Sequence, residues 1–410
     1  LEARVMNNFR TTGIILCILF LTIPLTAADL TVPRLELLTR GSWDENSGSV
    51  ILLNEGNASI DISGGYKFGG SLSIGFESSN LGNANVDAGD VVTGGGTAPT
   101  NANNIDALAA YLDETTFLKF IGAEIEYREL FGKPDTSLSW FIGETDTFCS
   151  GEIFPLQFAT YPVATRYRGK RYFTSGFDGI HTVNGTGVKV DTAWGTDWNR
   201  SSFYLYQDGY IGQDPTANVK QGIFSFDGRS AFNFQSLKIE AFAGASFPTA
   251  AAGLYRGGFL FHYNPGIAGE FLAEIGVPRW AAPDPFSIGD FYFLFEPRIH
   301  IDPLTVILTL FWQPNYYLQA TTTEGESADI HINFLFGDSP DSRVSGGFET
   351  SFVVNTDYVT SGEDQFEIVT TPYFSLSTSG VSWNFALDVN LLPFDLATMF
   401  TGIISIKAVF

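Results

Sequence analysis

The clearest deficit in this chain is charge. Asp, Glu, Lys and Arg make up 16% of its 410 residues, against about 25% in an ordinary soluble domain, so the sequence does not build a conventional hydrated surface. Basic residues are the scarcer kind, 22 against 45 acidic ones, for a net charge of −23. Nucleic acid is held by Lys and Arg patches that displace counterions, and so acidic a chain is excluded as its binder. Cysteine is nearly absent, with Cys17 and Cys149 the only two. That excludes a disulfide framework and a cysteine-based zinc site, and Cys149 reads as a small apolar or loop residue. No Gly-x-Ser-x-Gly elbow, His-Glu-x-x-His pair or Walker loop occurs, so neither an enzyme nor a cofactor is expected. Beyond the first 25 residues no apolar run approaches the roughly 18 residues of a spanning helix.

Aromatic residues and glycine are plentiful: 38 Phe and 43 Gly. The one apolar run, Ile14 to Leu25, ends in the small residues Ala27 and Ala28 and is too short to span a bilayer, which predicts a signal peptide over 1–28 cleaved after Ala28. Its removal takes away Glu2, Arg4 and Arg10 and leaves 20 basic and 44 acidic residues, a net charge of −24.

The rest of the chain is dominated by strict alternation, which puts successive side chains on opposite faces of a strand. Ala58, Ile60, Ile62 and Tyr66, then Leu72, Ile74 and Phe76, share one face, with Ser, Asp, Gly and Glu between them. The pattern returns at Val188 to Trp194, Phe291 to Ile301, Ile330 to Phe336, Val344 to Val354 and Val381 to Leu391. Short links at Ser377 to Gly380, Gly337 to Ser342, Asp302-Pro303, Asn264 to Gly266, Arg229-Ser230 and Trp198 to Arg200 alternate with longer ones such as Leu392 to Met399, Asn355 to Glu363 and Tyr210 to Ala217. A sandwich with Greek-key crossings has no reason to keep that rhythm, whereas an up-and-down membrane barrel does.

The expected fold is therefore all-β: a closed, antiparallel, up-and-down transmembrane β-barrel over 48–410, preceded by an N-terminal segment at 29–47. The count is about 20 strands, falling to about 18 (range 16–20) without the weakly patterned pair near Gln157 to Phe177. The long insertion 78–114 is the expected candidate for a loop folded into the channel or, equally, for a mobile external loop. Its Asn83 to Asp90 stretch carries oxygen ligands of the kind calcium prefers, without EF-hand spacing, and reads as a polar loop, so no metal is expected.

The chain ends Ile404-Ser405-Ile406-Lys407-Ala408-Val409-Phe410, with Ile404, Ile406, Ala408 and Phe410 on one face. This resembles the terminal strand of bacterial outer-membrane β-barrel (porin-like) proteins. The resemblance implies that these four residues form the signal read by the barrel-assembly machinery, and that the protein sits in the outer membrane among lipid and lipopolysaccharide. Ala408 departs from the aromatic residue common at its position. The Pro-Glu-Phe-Gly-Gly constriction motif of trimeric general porins is missing, and no closer family is assignable; a homotrimer stays open.

Alternation assigns Lys189, Asp191, Glu270, Glu274, Glu296, Arg298, His300, Asp329, His331, Arg343, Glu349 and Asp388 to the inner wall, with Glu77 and Lys407 beside them. Acid exceeds base in that set. The expectation is a porin-like channel for passive diffusion of small polar solutes or ions, mildly favouring cations. The alternatives are a non-conducting surface barrel acting as an adhesin or structural protein, and a secreted soluble carbohydrate-binding β-protein.

Overall fold

The computed structural model describes residues 28–44, 49–64, 66–79, 116–133, 135–161, 163–167, 179–195, 199–208, 224–247, 253–266, 268–281, 285–313, 327–337, 343–355, 365–378, 380–396 and 399–409. The first nine strands are β1 (Ala28–Asp44), β2 (Ser49–Gly64), β3 (Phe68–Ser79), β4 (Thr116–Arg128), β5 (Thr136–Phe148), β6 (His181–Ala193), β7 (Asn199–Asp208), β8 (Phe224–Asn233) and β9 (Leu237–Phe247). The second nine are β10 (Leu254–Tyr263), β11 (Gly269–Ala281), β12 (Tyr292–Ile301), β13 (Leu304–Gln313), β14 (Ser327–Phe336), β15 (Val344–Asn355), β16 (Phe366–Thr378), β17 (Val381–Leu392) and β18 (Phe400–Val409). Each pairs antiparallel with its neighbours in sequence, and β1 also pairs with β18, so the 18-stranded sheet closes on itself. Closure leaves no unpaired edge, which a strand-built membrane structure requires.

The two faces are inverted relative to a soluble protein. Phe259, Phe334, Phe348, Trp383 and Ile404 are exposed on the outside. Glu274, Glu296, Asp329 and His331, on the opposite face, are almost wholly covered. In β17 the alternation is plain: Trp383, Phe385 and Leu387 point outward, while Asn384, between them, meets Ser375 and Ser405 across the strands. The apolar residues form a belt around one ring instead of being sandwiched between two stacked sheets. Aromatic side chains mark its edges, Tyr66, Phe68 and Tyr263 at one rim and Tyr255, Trp280 and Trp312 at the other, as membrane interfaces favour.

The links keep the expected rhythm. Connections at 65–67, 129–135, 194–198, 234–236, 264–268, 302–303, 337–343 and 379–380 lie on one rim, which also holds Ala28 and Val409. The other rim carries the longer ones and the four-residue link 45–48. Three readings of the sequence need correcting. The stretch set aside as an N-terminal segment is strand β1, which starts 20 residues before the boundary at 48. Arg229-Ser230 is no link but the interior of β8, whose turn comes at 234–236; Asn199 and Arg200 likewise belong to β7. The weak pair near Gln157 to Phe177 does not join the sheet among the described residues, and the 18 strands are 17 after residue 48 together with β1. Most of the insertion 78–114, including the Asn83 to Asp90 stretch, lies outside the described residues.

Candidate functional site

After β5 the described residues 149–161 and 163–167 run into the barrel, and 179–180 lead into β6. This inward segment starts with a turn only glycine can make: Gly151 has φ +77°, and a Cβ there would collide with the Val163 carbonyl. Among the described residues of this segment one short helix follows, α1 (Ile153–Phe158). Pro155 is tolerated because it falls in the first turn, where the missing N–H has no helical partner to lose. Ala159 in the left-handed region ends it, its N–H donating to Phe154 and Pro155 carbonyls.

This segment is held by apolar packing and by buried hydrogen bonds. Cys149, Ile153, Phe154, Val163, Tyr167 and Ile180 are buried against Phe141, Phe148, Tyr204, Tyr206, Phe242, Leu260, Leu272, Tyr292 and Leu294, which project inward from β5, β7 and β9 to β12. Ile180 lies on a bed of two glycines: a Cβ at Gly258 or Gly276 would stand 2.8 or 2.9 Å from its Cδ1. The Cys149 N–H donates to Glu240 at 2.8 Å. Thr165 Oγ1 and the Arg166 N–H donate to Glu296 at 2.6 and 3.0 Å, and Arg298 donates to the Ala164 carbonyl at 2.6 Å. Farther round, Lys238 Nζ stands 3.9 Å from the Tyr161 ring centre, and the Tyr167 hydroxyl donates to Asp329. Glu152 comes within 3.8 Å of Arg34 on β1, so the segment touches walls on both sides of the lumen.

Most charged residues of the covered wall are paired with a charge of opposite sign, although single atoms such as Arg229 Nε and Glu240 Oε2 find no hydrogen bond among the described residues. Lys189 is 2.9 Å from Asp146, 3.2 Å from Glu124 and 3.5 Å from Asp191; Arg229 is 3.1 Å from Asp146 and 3.8 Å from Glu240. Arg256 grips Asp227 with two nitrogens, both at 2.6 Å. Ion pairs so removed from water return little net stability, because desolvation consumes most of the attraction, but they fix which side chain sits where.

The residues assigned from alternation fall into three groups. Glu274, Glu296, Arg298, Asp329, His331 and Glu349 are on the inner wall but covered; Glu296 accepts from Arg298, Thr165, Arg166 and Thr309 and is the main anchor of the inward segment. Lys189 is covered too, while Asp191, Glu270 and Asp388 keep partial access to water. Arg343 lies at the turn before β15 and is exposed, and His300 is partly exposed near the same rim. His331 faces Glu349 at 3.3 Å instead of Asp329, and His300 lies 3.8 Å from Glu270. In β18, Ile404 is exposed on the outer face, Ala408 is buried there beneath its strand neighbours, and Phe410 is outside the described residues. Asp146, Thr165, Tyr167 and the β1 trio Arg34, Glu36 and Arg40 were not singled out from the sequence. The β1 trio was detectable, since Arg34, Glu36 and Arg40 alternate with Leu35, Leu37 and Thr39.

Opposite the covered wall, from β16 through β18 and β1 to β4, most inward side chains reach water. Arg34, Asp61 and Lys407 are exposed, and Arg40, Glu55, Glu367, Asp388 and Asn390 are half-buried. Glu36 is held there by Arg34 at 2.8 Å and Lys407 at 2.7 Å.

No family profile and no curated protein matches the chain. Solved structures do. OccAB4 of Acinetobacter baumannii aligns over 93% of this chain and 98% of its own, with a TM-score of 0.52 at 9% identity. A BenF-like porin of Pseudomonas fluorescens Pf-5 gives 0.51 at 9% identity over 93% and 98%. Wzi of Escherichia coli, described as an outer-membrane, carbohydrate-binding β-barrel involved in group 1 capsule assembly, gives 0.50 at 12% identity over 93% and 85%. At such identities the likeness is one of fold: that of bacterial outer-membrane barrels. With its lipid-facing belt, the chain belongs in an outer membrane.

Proposed function

We propose that this barrel is a passive diffusion channel for small polar solutes and ions, mildly favouring cations. One observation carries the reading: the lumen is asymmetric, packed against β5 to β14 by the inward segment and open to water along β16 to β4. The packed half narrows the passage. The open half lines it, with Glu55, Asp61, Glu367 and Asp388 outnumbering Arg34, Arg40 and Lys407, and an acidic lining raises the local concentration of cations. The lining therefore differs from the set expected from alternation, several of whose members serve as anchors. Lipid and lipopolysaccharide would surround the belt, and the barrel-assembly machinery would insert the chain by its last strand.

The test is single-channel recording of the folded barrel in a planar bilayer with a salt gradient. Discrete conductance with a cation-sign reversal potential is expected, and Asp61→Lys with Glu55→Lys should move that potential toward anion preference. Discrete conductance with an anion-sign potential would remove the selectivity. A silent barrel would favour a second reading, a surface barrel that does not conduct, for which the depth of packing along β5 to β14 speaks.

A further inference from the structure

Near the rim of short links, a cavity of about 190 Å³ opens between α1 and the wall. Its lining comes from Glu126 and Arg128 at the end of β4, Asp135 to Ser137 at the start of β5, Asp191 and Thr192 on β6, Arg200 and Ser201 on β7, and Gln157 of α1. The charges on this lining are not equally occupied. Arg128 Nε is 2.8 Å from Glu126. Asp191 is served by Lys189 at 3.5 Å and by the Ser202 hydroxyl. Arg200 has no acidic partner among the described residues, and its buried Nε has no hydrogen-bond partner there. The exposed Asp135 carboxylate likewise pairs with no cation among the described residues, while the backbone carbonyl of Asp135 accepts from the Ala193 N–H. One guanidinium and one carboxylate therefore remain uncommitted on the wall of a single polar cavity, with Gln157 and the hydroxyls of Thr136, Ser137 and Thr192 around them.

We propose that this cavity is a binding site for a small zwitterion of amino-acid size, its carboxylate on Arg200 and its ammonium toward Asp135. Guanidinium is the side chain best shaped for a carboxylate, which it can hold through two parallel N–H bonds. Among the described residues the Arg200 guanidinium finds no carboxylate on the wall, so its terminal N–H groups are the ones a guest's carboxylate would meet in the cavity. At about 30 Å³ per water the space holds roughly six waters, which suits a compact solute. The reading deepens the channel proposal by giving its mouth a solute preference that the acidic net charge would not suggest. It rests on that proposal only for how the solute arrives.

Calorimetric titration of the folded barrel in detergent tests it without any need for conductance. The probe is L-threonine, against 3-hydroxybutyrate, which lacks the ammonium, and 1-amino-2-propanol, which lacks the carboxylate. Threonine should bind at least about tenfold more tightly than either, a difference of about 1.4 kcal/mol. Arg200→Gln should lose that advantage and leave 1-amino-2-propanol unchanged, while Asp135→Asn should lose it and leave 3-hydroxybutyrate unchanged. Heat-modifiable gel mobility verifies that both variants fold. Equal affinity for the three probes, or Arg200→Gln that binds threonine as the parent does, overturns the proposal. Binding with a silent bilayer would instead remove the channel and keep the site.

Discussion

At the scale of single residues, Glu296 concentrates the most consequence. It is fully covered and accepts from two positions of the inward segment, from Thr309 and from Arg298. Glu296→Ala would leave the buried Arg298 guanidinium without one of its two carboxylates, and removal of one partner of a buried pair costs about 3–5 kcal/mol. A lower urea midpoint for barrel unfolding is the expected result; an unchanged midpoint would show that Glu270, 2.9 Å from Arg298, suffices alone. Cys149 offers a reporter for the same region. Burial pushes its thiol well above the ordinary range, and the Glu240 carboxylate adds to that, so it should resist maleimide in the folded barrel. Gly276→Leu would drive a side chain into Ile180, whose N–H donates to the Phe148 carbonyl beside Cys149. Labelling of Cys149, read by intact-mass measurement, should then rise severalfold.

Among the elements, the strands were legible and the inward segment was not, for one physical reason. A strand between lipid and water must alternate, and Val381 to Leu391 does so with only Ala386 departing from the polar face. The described part of the inward segment packs its apolar residues against the barrel wall and not against lipid, so Ile153, Phe154 and Val163 follow no period, and its helix of 6 residues is too short to show one. Strand β1 was hidden differently. Leu38 points inward among Glu36 and Arg40, which blurs the contrast between faces, and the register slips between Thr31 and Arg34, where Pro33 interrupts the ladder. Alternation separates the two faces of a strand, yet whether an inward residue meets water or packing depends on the inward segment, which carries no such pattern. Replacing 152–178 by a short Gly-Ser linker should therefore raise single-channel conductance while heat-modifiable mobility persists. The register of β5 against β6 is set by their own pairs from Thr136↔Thr192 to Phe148↔His181. Unaltered conductance would mean that the segment does not limit the passage.

For the whole molecule, stability rests on which medium each face meets. Phe348 lies on the belt, paired with Phe334 of the next strand, whereas Ser375 on β16 faces inward beside Asn384. Phe348→Arg should cost about 2–4 kcal/mol if it lies near the bilayer midplane, and Ser375→Arg far less, since its guanidinium reaches water. Urea titration of both variants in lipid vesicles decides, and equal costs would contradict the assignment of faces. The seam between β1 and β18 has a wider consequence. Glu36 and Lys407 meet from opposite ends of the sequence, so the ring cannot shut until its final strand has arrived. Until then two bare ladders of amide and carbonyl groups stand open, able to recruit any passing chain. Assembly of such a ring is therefore a race between self-recognition and capture by strangers, and a chain interrupted in mid-synthesis would lose it.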